Sequence, residues 1–242
     1  MAASPRPLEG RTALVTGASR GIGAAVARRL AREGARVALV ARSERALELL
    51  ADELGNGALA AACDLHLPGA ADVIQAALDD LGADSPDILV NNAGAFLVAP
   101  AHETTVDVFR ETLELNLTAP FAFVRAFLPE MRRRGLGHIV TIGSIADRMI
   151  FPGNAAYAAS KHGLRALHEV LRAELRGSGV RTSLVSPGPV DTGLWDSVDP
   201  DGRAGFTPRA QMLDADAVAD AVTYVLTAPA QLNVDELLLS LS

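Results

Sequence analysis

The sequence predicts an α/β fold, a single domain built on a seven-stranded, mainly parallel, doubly wound sheet with helices on both faces. Three observations predict it. Seven short apolar runs have strand length, segments with a 3.6-residue apolar period separate them, and the chain alternates the two throughout. Strands that are apolar along their whole length belong in a sheet covered on both faces, which is the parallel arrangement. At 242 residues, 49% of them hydrophobic, the chain can bury one substantial core, and α/β folds of this size commonly form one domain.

In chain order the expected strands are 12–16 (TALVT), 36–41 (RVALVA), 58–63 (ALAAAC), 87–91 (DILVN), 138–142 (HIVTI), 181–186 (RTSLVS) and 235–240 (DELLLS). The periodic segments between them predict helices over 21–33, 43–54, 69–81, 104–134, 155–177 and 214–228. Ligands of such sheets bind beyond the carboxyl ends of the strands. One stretch, 193–213 (GLWDSVDPDGRAGFTPRAQML), has no strand or helix pattern and follows the sixth strand. A loop of about 20 residues in a compact domain is more often functional than structureless. It is expected to act as a substrate lid, the alternative being a surface excursion with a short helix.

Composition excludes several classes. No apolar run approaches the roughly 18 residues needed to span a bilayer, and the start, Met1 to Gly10, has no apolar signal core. The expectation is a cytoplasmic protein with no membrane partner. Cys63 is the only cysteine, so neither a disulfide framework nor a thiolate metal cluster is expected. A net charge of -7 opposes non-specific attraction to nucleic acid. The one basic run, Arg132, Arg133 and Arg134, falls at a predicted helix end, where cations meet the negative end of the helix dipole. Of the 22 basic residues only Lys161 is lysine. A chain that uses arginine wherever positive charge suffices keeps a lysine where a compact ammonium with a shiftable pKa is needed.

After the first strand the chain reads Thr16-Gly17-Ala18-Ser19-Arg20-Gly21-Ile22-Gly23 and then enters a helix. Glycines there permit a tight turn, let backbone N–H groups approach a pyrophosphate, and bring the helix close to the strand with its positive end toward the anion. The spacing is G-x-x-x-G-x-G, and the context of strand before and helix after argues against a simple turn. NAD sites of this Rossmann type usually place a carboxylate at the end of the second strand. Here that place holds Ala41 followed by Arg42. Without the carboxylate, Arg42 and Arg20 can offer forked, charge-assisted donors to a 2′-phosphate, so NADP(H) is expected over NAD(H).

Tyr157 and Lys161 are four apart on a predicted helix and so share a face. Chance would place a lone lysine four residues after one of two tyrosines about once in 120 placements. A phenol near pKa 10 is a poor acid–base group at neutral pH, and an adjacent ammonium is expected to bring it toward the working range. Ser144 follows the fifth strand, where its hydroxyl could donate to a developing oxyanion or simply cap a turn. Asn116, between two leucines on the long fourth helix, should be bonded to something specific if buried.

These residues together resemble the short-chain dehydrogenase/reductases, in the subgroup of about 250 residues. The resemblance rests on Thr16 to Gly23, Asn91-Asn92-Ala93-Gly94, Asn116, Ser144, Tyr157-x-x-x-Lys161, Pro187-Gly188 and Thr192, in order and over nearly the whole chain. It implies a tetrad of Asn116, Ser144, Tyr157 and Lys161. Tyr157 would be the acid/base, Ser144 would orient the carbonyl, Lys161 would bind the nicotinamide ribose and tune Tyr157, and Asn116 would hold a water in a proton relay. It also implies a cofactor cradle. Gly17, Ser19, Arg20, Gly21, Ile22 and Gly23 would take the phosphates, with Arg42 beside them. Asp64 and Leu65 would meet the adenine, and Asn91, Ala93 and Gly94 the adenosine ribose. Pro187, Gly188, Val190 and Thr192 would border the carboxamide. Family members usually form tetramers or dimers through the helices that here would be 104–134 and 155–177.

The leading expectation is an NADP(H)-dependent oxidoreductase acting on a small carbonyl or secondary alcohol, with reduction favoured. Two other functions are compatible with parts of the pattern. A catalytically silent NADP-binding sensor or scaffold would not need both Tyr157 and Lys161. A nucleotide-sugar epimerase or dehydratase can share Y-x-x-x-K, but the glycine spacing and the missing C-terminal substrate domain argue against it. Phe96, Ile150, Phe151, Trp195 and Phe206, in or near the loop, point to an apolar or cyclic substrate.

Overall fold

The computed structural model describes residues 6–79 and 85–241. The first half of the Met1–Gly10 stretch and the last two positions of the predicted 69–81 helix lie outside the described residues. Seven strands are present: β1 (Thr12–Thr16), β2 (Arg36–Ala41), β3 (Leu59–Ala62), β4 (Ile88–Asn91), β5 (Gly137–Ile142), β6 (Val180–Pro187) and β7 (Glu236–Leu239). Among the described residues seven α-helices join them: α1 (Gly21–Arg32), α2 (Glu44–Leu54), α3 (Ala70–Asp79), α4 (Val106–Leu113), α5 (Ala119–Arg134), α6 (Ala155–Glu174) and α7 (Ala215–Thr227). Each strand end lies within one residue of its expected position.

The strands form one sheet in the order β3-β2-β1-β4-β5-β6-β7, and every pairing is parallel. The order starts at β1, runs outward to β3, then returns to β4 on the other side of β1. That reversal opens a crevice at the carboxyl ends of β1 and β4, the place where such sheets bind ligands. Two apolar layers fix the sheet between the helices. On one face Val26 and Leu30 of α1, Leu47 of α2 and Val218 and Val222 of α7 pack on Val15, Val37 and Val90. On the other, Ile74 and Leu78 of α3 and Phe123, Phe127 and Met131 of α5 pack on Leu14, Leu89 and Ile139. Side chains of a fully covered strand meet helices on both sides, which is why the runs read as apolar throughout.

The long helix expected over 104–134 is not continuous. It begins at Val106, because the Thr105 hydroxyl accepts the Val108 N–H at 3.2 Å and so caps the first turn. It then widens into a five-residue π-helical turn, Glu114–Thr118, before resuming as α5. Such single wide turns are uncommon and concentrate at functional sites. The three arginines at the end of α5 behave as a solvated helix end, with Arg133 paired to Glu130 and Arg134 to Asp87.

Candidate active site

The loop after β1 is held in backbone-to-backbone contact. Gly17 has φ +67°, and a Cβ on it would lie 2.9 Å from the Cα of Ala93. A Cβ on Gly23 would lie 2.3 Å from the carbonyl oxygen of Gly17. Only glycine fits either place. The Thr16 hydroxyl accepts from the N–H groups of Asn92 and Ala93 at 3.0 and 3.1 Å, while Asn92 Nδ2 donates to the Thr16 carbonyl at 2.8 Å. Asn92 therefore stitches the loop to the end of β4. Its role is not legible from the motif around it, since its partner lies 76 positions away. Helix α1 then starts with no acidic residue in its first turn and with Arg20 as a cap whose side chain makes no capping bond. Its first N–H groups are left facing the crevice, as an anion site requires.

Ser19, Gly21 and Ile22 lie in this same loop and first turn, half-buried. Arg20 and Arg42 are exposed, and among the described residues neither side chain makes a hydrogen bond or salt bridge. Asp64, at the end of β3, accepts from His66 Nδ1 at 2.8 Å. That bond, the His66 backbone N–H and the nearby charge of Arg42 hold its carboxyl below the usual carboxylate range. Leu65 is buried beside it. Asn91 ends β4 buried, with both Nδ2 and Oδ1 unpartnered. Buried carboxamides are rarely left so unless a ligand completes them. Gly94 lies close against Asn116, 3.2 Å from its Oδ1 to an ideal Cβ.

On the other side of the crevice β6 ends at Pro187, and the Gly188 N–H donates to Leu239 at 2.7 Å. Val190 pairs with Leu213 across an isolated bridge. Thr192 packs over Gly21, and its hydroxyl accepts the Leu194 N–H at 3.3 Å. The 193–213 stretch contains two short 3₁₀ turns, Gly193–Trp195 and Arg209–Gln211. Arg209 ties its ends together through Asp191 at 2.8 Å, Asp196 at 2.6 Å and the Thr192 carbonyl at 3.2 Å. The stretch is thus folded against the crevice.

Three members of the expected tetrad, Ser144, Tyr157 and Lys161, converge between these two sides. Tyr157 and Lys161 project from the first turns of α6, and the Ser144 hydroxyl is hydrogen-bonded to Tyr157 while also accepting the Ala146 N–H at 3.1 Å. The turn-cap reading of Ser144 is thus met by its bond to Ala146. Lys161 is buried, with Nζ donating to the Ile142 carbonyl at 2.9 Å and lying 5.7 Å from the centre of the Tyr157 ring. Burial lowers the Lys161 pKa to about 8, against the opposing charge of Asp147. At Tyr157 the direction is upward, contrary to the sequence expectation. Burial raises it, the Ser144 hydrogen bond works the other way, and Asp147 adds to the rise. The phenol of the chain alone is held protonated, the form that donates.

Asn116 is fully buried in the π-helical turn. Its Oδ1 accepts the Ala95 N–H at 2.8 Å, and its Nδ2 donates to the Ala95 carbonyl at 2.9 Å and to Ser160 Oγ at 3.0 Å. Both side-chain donors are used within the protein. The side chain fastens the loop after β4 to α6 one residue before Lys161, a link invisible in the sequence. Beyond Tyr157 a ladder of rings runs outward. Phe96 meets Tyr157 edge-on at 4.9 Å and Trp195 at 5.0 Å, and Trp195 meets Phe206 at 6.2 Å. Phe96, Trp195 and Phe206 form this ladder with Tyr157, whereas Ile150 is 74% exposed. Among the described residues no group of metal-binding side chains occurs, and no helix is long and apolar enough to cross a membrane.

A family model described as short chain dehydrogenase matches residues 11–202. The chain belongs to the short-chain dehydrogenases. It is 39% identical over 240 residues to the glycine betaine reductase of Emericella nidulans, covering 96% of this chain and 19% of that protein. The match therefore spans about a fifth of the fungal enzyme. It is 35% identical to the NADP-dependent 3-hydroxy acid dehydrogenase of Salmonella typhimurium, over 92% of this chain and 91% of that one. Among solved structures, a metagenomic short-chain oxidoreductase in complex with NADP superposes with a TM-score of 0.81 at 36% identity, covering 98% and 99% of the two chains. The short-chain dehydrogenase fold and its oxidoreductase class are thus common to sequence, structure and relatives.

Proposed function

We propose that this short-chain dehydrogenase is an NADP(H)-dependent reductase of a ketone or aldehyde, with Tyr157 as the proton donor. The observation that carries the reading is the convergence of Tyr157, Ser144 and Lys161 at the carboxyl end of β5. When bound, the cofactor supplies the hydride. The residues present fit it: glycine-only contacts at Gly17 and Gly23, no acidic residue in the first turn of α1, an orphaned Asn91 side chain, and Arg20 and Arg42 side chains in no salt bridge. Two relatives or neighbours named for NADP support the choice of cofactor. Arg42 and Arg20 would hold the 2′-phosphate, Asp64 and Leu65 the adenine edge, and Val190 and Thr192 the carboxamide.

Ser144 would hold the substrate oxygen by its hydroxyl, and Tyr157 would pass its proton to that oxygen. Lys161, charged below about pH 8, would stabilise the phenolate left behind. Positioned proton transfer of this kind is commonly worth about 10²- to 10⁴-fold in rate. Asn116 would fix the relation of the β4 loop to α6. The 193–213 stretch would serve as a lid on a single domain, and the ring ladder would form an apolar wall for an uncharged or cyclic carbonyl. Association would use α4, α5 and α6, where Val106, Phe121 and Val170 are 63, 50 and 52% exposed. Following nicotinamide absorbance with NADPH and NADH over a panel of carbonyls tests the reading. Turnover with NADPH is expected. Tight NADPH binding with no turnover of any carbonyl would favour the silent sensor.

A further inference from the structure

Behind the proton-exchanging groups lies a buried carboxylate that the proposed reaction does not use. Asp147 closes the short turn Ile145–Asp147 after Ser144, and its side chain is 0% exposed. One oxygen accepts a short hydrogen bond from Ser186 Oγ, near the end of β6. The other accepts from Arg148 Nε at 2.7 Å and lies 3.9 Å from Arg165 Nη1 on α6. Glu236, at the start of β7, spans the same two arginines at 3.3 and 3.2 Å, and Glu169 takes Arg165 Nε at 3.0 Å. A carboxylate so far from water persists only when it is paired and hydrogen-bonded on both oxygens.

Its position joins it to the site. Three consecutive residues at the end of β5 have distinct parts: the Ile142 carbonyl holds Lys161 Nζ, Ser144 bonds Tyr157, and Gly143 lies between them. A Cβ on Gly143 would lie 2.5 Å from Ser186 Oγ and 2.9 Å from Asp147 Oδ2. The carboxylate and its serine partner are therefore packed against the strand end where only a hydrogen fits. The Asp147 N–H also donates to the Ser144 carbonyl at 2.9 Å.

We propose that Asp147 is a positioning residue of the proton-exchanging site, clamping Ile142–Ser144 from behind through Ser186 and providing a fixed negative charge toward the Lys161 ammonium. The inference rests on the Tyr157–Lys161 reading above. Burial and Asp147 act on Lys161 in opposite directions, burial favouring the neutral amine and Asp147 the ammonium. The groups facing Asp147 are Arg148 on its own turn, Ser186 on β6, Arg165 with Lys161 and Tyr157 on α6, and Glu236 on β7. Asp147→Asn keeps a side chain that can bond Arg148 and Ser186 but removes the charge. Burial then acts on Lys161 without an opposing carboxylate, and Arg148 and Arg165 lose the charge they pair with, so its ammonium is lost at lower pH.

Because Lys161 is the only lysine, protein labelled with ¹³C-lysine gives one side-chain signal whose titration reads this directly. The wild-type midpoint is expected near about 8, and that of Asp147→Asn lower by about half a pH unit or more. The alkaline limb of kcat should move in the same direction, which loss of rigidity alone would not do. An identical midpoint in the two proteins overturns the proposal. The titration needs no substrate, so its failure is separate from failure to find a carbonyl that turns over. Should Asp147→Asn not fold, Ser186→Ala keeps the charge and breaks the clamp. Its kcat is expected to fall several-fold at an unchanged Lys161 midpoint, and an unchanged kcat overturns the proposal.

Discussion

Replacing Arg42 by Asp tests the cofactor assignment where the structure makes the effect easiest to read. Arg42 is exposed, follows β2 at its carboxyl end, and makes no hydrogen bond or salt bridge among the described residues. Removing it breaks no hydrogen bond or salt bridge and loses only the solvent-screened attraction of its charge for Asp64, so stability should change little, by about 0.5 kcal/mol. The loss is then one of binding. A hydrogen bond to a charged group is worth about 1.5–3 kcal/mol, which is about 10- to 150-fold in kcat/KM for NADPH. The new carboxylate would also repel a 2′-phosphate and offer an acceptor to ribose hydroxyls, so NADH should gain. The assay is kcat/KM for both cofactors at low ionic strength, with a melting curve as control. Added salt should narrow the difference, since the site is open to solvent. An unchanged NADPH/NADH ratio in a protein of wild-type stability would refute the assignment.

Three further outcomes follow from the geometry. Asn116→Leu leaves the half-buried Ala95 N–H and carbonyl without partners, costing about 1–3 kcal/mol, or roughly 2–12 °C in melting temperature for a chain of this size. A melting point within error of wild type would show that the link is not needed. His138 is buried in β5 with its pKa lowered by burial to about 3 from 6.5, so the unfolded chain binds a proton that the folded one refuses between those values. Stability is therefore full above about pH 6.5 and falls as pH drops toward 3, by up to about 1.4 kcal/mol per pH unit. In His138→Gln, which can still meet Ser183, acid unfolding should be shallower, and an identical pH dependence would count against the cause given. Trp195 is the only tryptophan, and its Nε1 donates to the Val190 carbonyl at 3.0 Å. Saturable quenching of its emission by NADPH is expected, and NADPH binding by calorimetry with unaltered emission would place the nicotinamide end elsewhere.

Much of this was legible along the chain because it depends on neighbours in sequence. A doubly covered strand must be apolar throughout, so all seven were found, and Y-x-x-x-K states its own geometry on a helix. The glycine loop was legible for the same reason. What escaped depends on distant partners. Residues 104–134 have a helical period from end to end, and nothing in it marks the π-helical turn, where Asn116 bonds the distant Ala95 and Ser160. Asp147 reads locally as one more charge in a loop, while its partner Ser186 lies 39 positions on. The direction at Tyr157 escaped as well. Spacing shows that a lysine is near, but burial decides the sign, and burial is set by the fold.

The proton role of Tyr157 is tested most directly by Tyr157→Phe, which keeps the ring and its edge-on contact with Phe96 and removes only the hydroxyl. With a carbonyl that the wild-type protein reduces, the account predicts a fall in kcat of about 10²- to 10⁴-fold with NADPH affinity retained. Full turnover by Tyr157→Phe would contradict it.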